Sequence, residues 1–171
     1  MGERLERLRD DVRARLGQLL AGVSPDDQAI DVALVDGMTS LVSAFPIHEA
    51  EVAVDFGAQE IELVLNLDHL KNNNHKAMLR EINDVVEAAD ERPVCVVLET
   101  RALTRAEIVT ISGVLSDSGI KVVSTGTDFW PDSRVDADDI KAIRDALDAK
   151  IAIKAVGNLR DAETAQALID A

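Results

Sequence analysis

Short apolar runs rich in valine and isoleucine recur along this chain with helical patterns between them, and no other feature limits its fold as strongly. The runs cover residues 29–35, 41–45, 61–66, 94–99, 121–125 and 151–156. Most are near-continuous in hydrophobicity, as expected of parallel strands covered on both faces. Between them, residues 49–56 read as a short helix, and residues 76–89 carry Met78, Leu79, Ile82, Val85 and Val86 on one side. Thr104 and Glu107 have the spacing of a capping box, which starts a helix by satisfying two free backbone N–H groups. Asp136 or Asp138 starts the next helix, through Ile140, Ile143 and Leu147, and Asp161 starts the last, through Ala165, Leu168 and Ile169. Repeated strand–helix alternation predicts an α/β protein with a parallel sheet, open or closed into a barrel.

The front of the chain differs. Leu5, Leu8, Val12, Leu16 and Leu19 fall three and four apart, with arginines and acids on the other face, so residues 1–23 read as an amphipathic helix that Gly22 can stop. Ser24-Pro25-Asp26 resembles a further cap, and Asn72-Asn73-Asn74 a turn. A length of 171 residues fits one domain with a sizeable core, so residues 1–171 are taken together.

Several function classes are disfavoured at once. A net charge of -14, from 32 acidic and 18 basic residues, repels a phosphate backbone and predicts no nucleic-acid partner. No apolar run nears the ~20 residues of a membrane span, and the charged start lacks a secretory signal, so a cytosolic protein is expected. The lone cysteine, Cys95, cannot form an internal disulfide. His48, His69 and His75 lack the i, i+4 spacing of a helical zinc pair, and no metal or other cofactor is expected. No Gly-x-Gly-x-x-Gly or Walker sequence follows a strand, which leaves nucleotide binding without support.

Four stretches, in order, carry a family resemblance. Gly57-Ala58-Gln59-Glu60-Ile61-Glu62-Leu63-Val64-Leu65-Asn66 resembles a Gly-Ala-x-Glu-Ile-Asp-x-Val-x-Asn strand. Val96-Val97-Leu98-Glu99-Thr100, with Leu103-Thr104 and Glu107-Ile108 after it, resembles a Val-Ile-Leu-Glu-Thr strand and the helix start that follows. Ser124-Thr125-Gly126 matches the end of Lys-Thr-Ser-Thr-Gly, and Ile153-Lys154-Ala155-Val156-Gly157-Asn158-Leu159-Arg160 resembles Val-Lys-Ala-x-Gly-Gly-Ile-Arg. Together they resemble the deoxyribose-phosphate aldolases over roughly residues 41–171. The resemblance implies a (β/α)₈ barrel with its site at the C-terminal strand ends. Here the barrel is expected to be incomplete, without its first and last strands and with the extra N-terminal helix.

The resemblance also implies class I chemistry, in which a lysine amine condenses with a carbonyl and the iminium accepts the electrons of the breaking carbon–carbon bond. Such an amine must lose its proton readily, through desolvation or a neighbouring cation. The family's nucleophile falls on Val122. Lys121 is one residue earlier, and strand alternation turns it to the opposite face unless a bulge intervenes. The family's second lysine is retained as Lys154, and its proton-shuttling aspartate becomes Glu62. Both are candidate catalytic residues, and they could equally form an interior ion pair. Ser124, Thr125, Gly126, Gly157 and Asn158 are candidate ligand- or phosphate-binding positions, with Asn158 where the family has a second glycine.

Three readings follow. The first is an aldolase-like protein that is catalytically degenerate because Val122 replaces the Schiff-base lysine, with a ligand or partner site retained. The second is a class I aldolase or lyase acting on a small aldehyde or sugar phosphate through Lys154, with Glu62 as acid/base. The third is a non-catalytic scaffold. Open strand edges invite pairing, so the N-terminal helix is expected to cover part of the barrel gap, and a homo-oligomer or partner protein the rest. The loop of residues 126–133, with Trp130, reads equally as a ligand lid or partner contact and as ordinary packing onto the neighbouring helix.

Overall fold

The structure is a computed structural model that describes residues 44–127, 135–157, 159 and 161–171, together with strand 32–36; at 32–36, 44 and 45 it describes the backbone alone. The expected helix at 1–23, the Trp130 loop and Asn158 lie outside the described residues. Five parallel strands form one sheet: β1 (Val32–Asp36), β2 (Glu60–Val64), β3 (Val94–Val97), β4 (Val122–Ser124) and β5 (Ala152–Lys154). Helix α1 (Ala44–Asp55) joins β1 to β2, and α2 (Leu67–Lys71) with α3 (His75–Ala88) joins β2 to β3. Helices α4 (Arg105–Leu115) and α5 (Ala137–Ala146) make the next two crossovers, and α6 (Ala162–Ile169) follows β5.

Strand order in the sheet equals strand order in the chain. The winding therefore never reverses, and right-handed crossovers place the helices on one side. A doubly wound sheet has a switch point; this one has none and forms an arc of a barrel.

Strand alternation divides the residues between two faces. Ile61 and Leu63 of β2, Val94 and Val96 of β3 and Val123 of β4 join a core that includes Ile82 of α3, Ile111 of α4 and Ile143 of α5. Glu60, Glu62, Cys95, Val97, Val122, Ser124, Ala152 and Lys154 belong to the opposite, concave face. Local signals hold the frame as expected: Thr104 and Glu107 form the capping box of α4, and Asp136 and Asp161 cap α5 and α6. The asparagine trio is a turn between two helices, with Asn72 the C-cap of α2, Asn73 at φ 54° and Asn74 the N-cap of α3.

Two expectations need correction. The run 41–45 read as a strand, but Ala44 and Phe45 open helix α1, which replaces the short helix expected at 49–56. Pro46 sits in its first turn, where a missing N–H costs no helical hydrogen bond. Helix α2 was hidden because one turn is too short to show a period; Asn66 caps it by accepting from the Asp68 N–H.

Helix α2 also sets a partly buried pair against α3. His69 Nε2 lies 3.2 Å from Glu81 Oε2, and Glu81 is only 6% exposed. Burial pushes the Glu81 carboxyl above its usual 4.5, opposed by the hydrogen bond with His69. A carboxyl raised on folding gives stability that is present below 4.5 and lost as pH rises through the raised value. Glu81→Gln is accordingly expected to match the parent near pH ~4 and to melt a few degrees higher near pH ~7. Melting curves at both pH values check this, and an equal offset at both would contradict it.

Candidate active site

The register places the concave face's side chains in rows. Glu62 pairs with Cys95, Cys95 with Val122 and Val122 with Ala152. The next row runs Val64, Val97, Ser124, Lys154. Val122 and Lys154 thus share a face, while Lys121 has the opposite parity and is exposed. No bulge brings the Lys121 amine to the concave side, since β4 pairs with β3 and β5 without interruption.

Lys154 Nζ donates to Glu62 Oε1. These residues belong to β5 and β2, separated by three strand gaps, about 14 Å on a flat sheet. Side chains stand roughly perpendicular to a sheet, so a contact over that distance needs the sheet to curl around them. The ion pair is therefore a product of the barrel curvature. It is not a buried pair: the Lys154 side chain is 44% exposed and Glu62 17%. The hydrogen bond to Glu62 holds the Lys154 ammonium above its usual pKa, against a smaller desolvation effect.

Beneath the pair lies Cys95, fully buried, its thiol pushed up to about 12 first by burial and then by the Glu62 charge. One Glu60 carboxylate oxygen, one Glu62 oxygen and Cys95 Sγ lie within 4.8 Å of one another, a grouping that could ligate a metal ion. An ion there would compete with Lys154 for Glu62 and would have to take the proton of a thiol that holds it firmly.

The rim is made by the strand ends. Ser124 Oγ donates to the Gly126 carbonyl at 3.2 Å, and both residues of the Ser124-Thr125 pair are buried. Thr125 Oγ1 donates to the Val156 carbonyl at 3.0 Å and accepts from its N–H at 2.9 Å, which clasps the end of β4 to the end of β5. Both hydroxyls are thus engaged in holding the rim. Gly157 has φ 149°, a conformation that favours glycine.

Glu99 is the residue that the sequence reading passed over. It is 4% exposed, adopts φ 53°, and accepts from the Thr127 N–H at 3.2 Å and the Thr127 hydroxyl at 2.8 Å. A Cβ on Gly126 would come within 3.0 Å of Glu99 Oε1, so the glycine makes room for the carboxylate. The available signal was an acidic residue ending an apolar run, in a place where a buried charge needs donors. Glu60 and Cys95 were also missed as neighbours of Glu62, because their proximity depends on register.

The arrangement offers one solvent-accessible amine, an adjacent carboxylate as proton acceptor, and an apolar isopropyl group on the same face. It lacks, among the described residues of that face, a second ammonium to disfavour protonation of the first.

No family model matches the chain. A deoxyribose-phosphate aldolase of Exiguobacterium sibiricum is 36% identical over 158 residues, which cover 90% of this chain and 70% of the relative. That of Methanothermobacter thermautotrophicus is 37% identical over 123 residues, 72% of this chain and 54% of the relative. Among solved structures, the aldolase QR15 superposes with a TM-score of 0.75 at 24% identity, covering 89% of this chain and 68% of QR15. The tetrameric deoxyribose phosphate aldolase of Aeropyrum pernix gives a TM-score of 0.67 at 19% identity, over 81% of this chain and 58% of its own. These two likenesses bear on the fold alone.

Proposed function

From the premise that this chain belongs to the deoxyribose-phosphate aldolase family, we propose that it is a member whose Schiff-base chemistry has been lost while the barrel face that would receive a small aldehyde or sugar phosphate is kept. One observation carries the proposal. Val122 stands at the position of the family's nucleophile, on the same face as Lys154, and the Lys154 ammonium is held by Glu62. Attack on a carbonyl needs a neutral amine, and a hydrogen-bonded carboxylate stabilises the charged one. In the family pattern two ammonium groups share the site, and each disfavours protonation of the other. Here one of the two cations is gone while a carboxylate remains at the aspartate's place as Glu62, bonded to the remaining ammonium, so the electrostatics favour the wrong protonation state.

The substrate class belongs to the same proposal. So does self-association that covers the open sheet edges. The A. pernix relative is a tetramer, and exposed edges pair readily.

A second reading has one specific support, the contact between Lys154 and Glu62, which places an acid/base beside an exposed amine. Borohydride reduction in the presence of acetaldehyde or deoxyribose 5-phosphate, with peptide mapping, separates the two. The proposal expects no adduct on Lys154. An adduct there, abolished by Lys154→Leu, would overturn it in favour of a lyase that uses Lys154. If no adduct forms, melting-temperature elevation by the sugar phosphate tests whether the binding face is kept.

A further inference from the structure

Helix α6 is the least embedded helix of the fold. None of its residues is buried, and Ile169 is 77% exposed. Among the described residues it has a helical neighbour only on the α5 side, and its strand, β5, pairs only with β4. Between α5, β5 and α6 runs a mainly apolar groove of about 470 Å³, lined by Ile140, Ile153, Leu159, Leu168 and Ile169 among others, with Arg144 as its one charged lining side chain among the described residues. Leu159 at its edge is 42% exposed. Exposed apolar surface contiguous with a groove marks a contact that the described residues leave unmade.

We propose that the N-terminal segment of this same chain, residues 5–19, docks as a helix against α6 over this groove and supplies the missing neighbour in the helical layer. Three features of the chain select that occupant over a second copy or a foreign protein.

The first is pattern. Leu5, Leu8, Val12, Leu16 and Leu19 make one apolar stripe, which needs an apolar surface to cover it.

Charge is the second. Residues 1–23 carry five arginines against four acids, so the other residues hold -15 within a total of -14. At about 100° per residue, Arg9 and Arg15 border the stripe on its two sides, while Glu3, Glu6 and Asp10 fall on the far face. The α6 side of the docking surface has the opposite sign: Asp161, Glu163 and Asp170 frame α6, and residues 161–171 include no lysine or arginine, while Arg144, which also lines the groove, donates to the Leu147, Asp148 and Ile151 carbonyls. A second copy approaching as a whole would bring its own negative field.

Reach is the third. Residues 20–31 can span up to about 40 Å when extended. The sheet from β1 to β5 is four gaps wide, about 19 Å if flat and less when curled.

The full-length chain with the pair Val12→Cys and Leu168→Cys tests the proposal under mild oxidation. Cys95 is buried and does not compete. Docking within one chain gives a disulfide between the two engineered positions at the mass of a single chain. A disulfide only between two chains would assign the groove to a second copy and overturn the proposal, as would no disulfide at all. An independent arm avoids geometric demands on the disulfide: Val12→Asp, compared with the parent by amide hydrogen exchange. Exchange across Ala162–Ile169 is expected to quicken at least ~10-fold, with α4 unchanged. Equal exchange in α6 of both proteins would overturn the proposal even if the cysteine pair failed to fold.

Discussion

Val122→Lys is expected to form a reducible aldehyde adduct at that position, where the proposed loss of Schiff-base chemistry predicts none for the parent chain. Val122 is half-buried on the concave face, in the row of Cys95 and Ala152, with Lys154 one strand over and one row on. An amine there has solvent access through the same opening as Lys154. Its protonation is disfavoured by the neighbouring ammonium, the condition the parent chain lacks. Glu62 remains imperfect, because one extra methylene displaces its carboxylate by ~1.5 Å relative to an aspartate. Misplacement by about 1 Å can cost ~100-fold, so Val122→Lys with Glu62→Asp is expected to turn over deoxyribose 5-phosphate about 100 times faster than Val122→Lys alone. Peptide mapping after borohydride locates the adduct, and product formation gives the ratio. A folded Val122→Lys protein that traps nothing would show that the concave face has lost more than its nucleophile.

Leu98→Ala is expected to cost about 3 kcal/mol, whereas Val122→Ala costs less than ~1 kcal/mol. Leu98 is fully buried and belongs to the cluster shared by sheet and helices. Its truncation removes transfer energy and leaves a cavity in a packed layer. Val122 lies on the face that an arc of five strands leaves partly open, where the two lost methyl groups are replaced by solvent rather than by a void. For a chain of this length the first loss lowers the melting temperature by about 10 °C. Urea denaturation of both variants gives the comparison. Similar losses at the two positions would mean that the concave face is as tightly packed as the helical side.

Glu62 and Lys154 show how the two levels of information divide. Each was visible as a charge in an apolar strand, and each could be placed in a family motif. Their pairing was one of several possibilities, because 92 residues separate them. It became definite only when the sheet curved through three strand gaps. Curvature also decided exposure: a lysine flanked by isoleucines reads as buried, yet its side chain is 44% exposed at the open end of the arc. Ser124 and Thr125 teach a similar lesson. The family motif made them candidate binding positions, and only the structure showed that their hydroxyls donate to the Gly126 and Val156 carbonyls at the rim. The 41–45 run failed for a local reason: five apolar residues do not distinguish a buried strand from the start of a helix.

The sequence by itself determined the alternation of strands and helices, the Thr104 and Asp161 caps, the family, and the valine at the nucleophile's place in the family motif. These follow from spacings of two to four residues and from motif order, which the chain carries locally. Tertiary structure alone decided that Glu62 neutralises Lys154, that Cys95 lies beneath them, that Glu99 anchors the rim and that the described residues leave an apolar side of α6 uncovered. Those outcomes depend on register and sheet curvature, which arise from packing between residues far apart in the chain and leave no periodic trace in it.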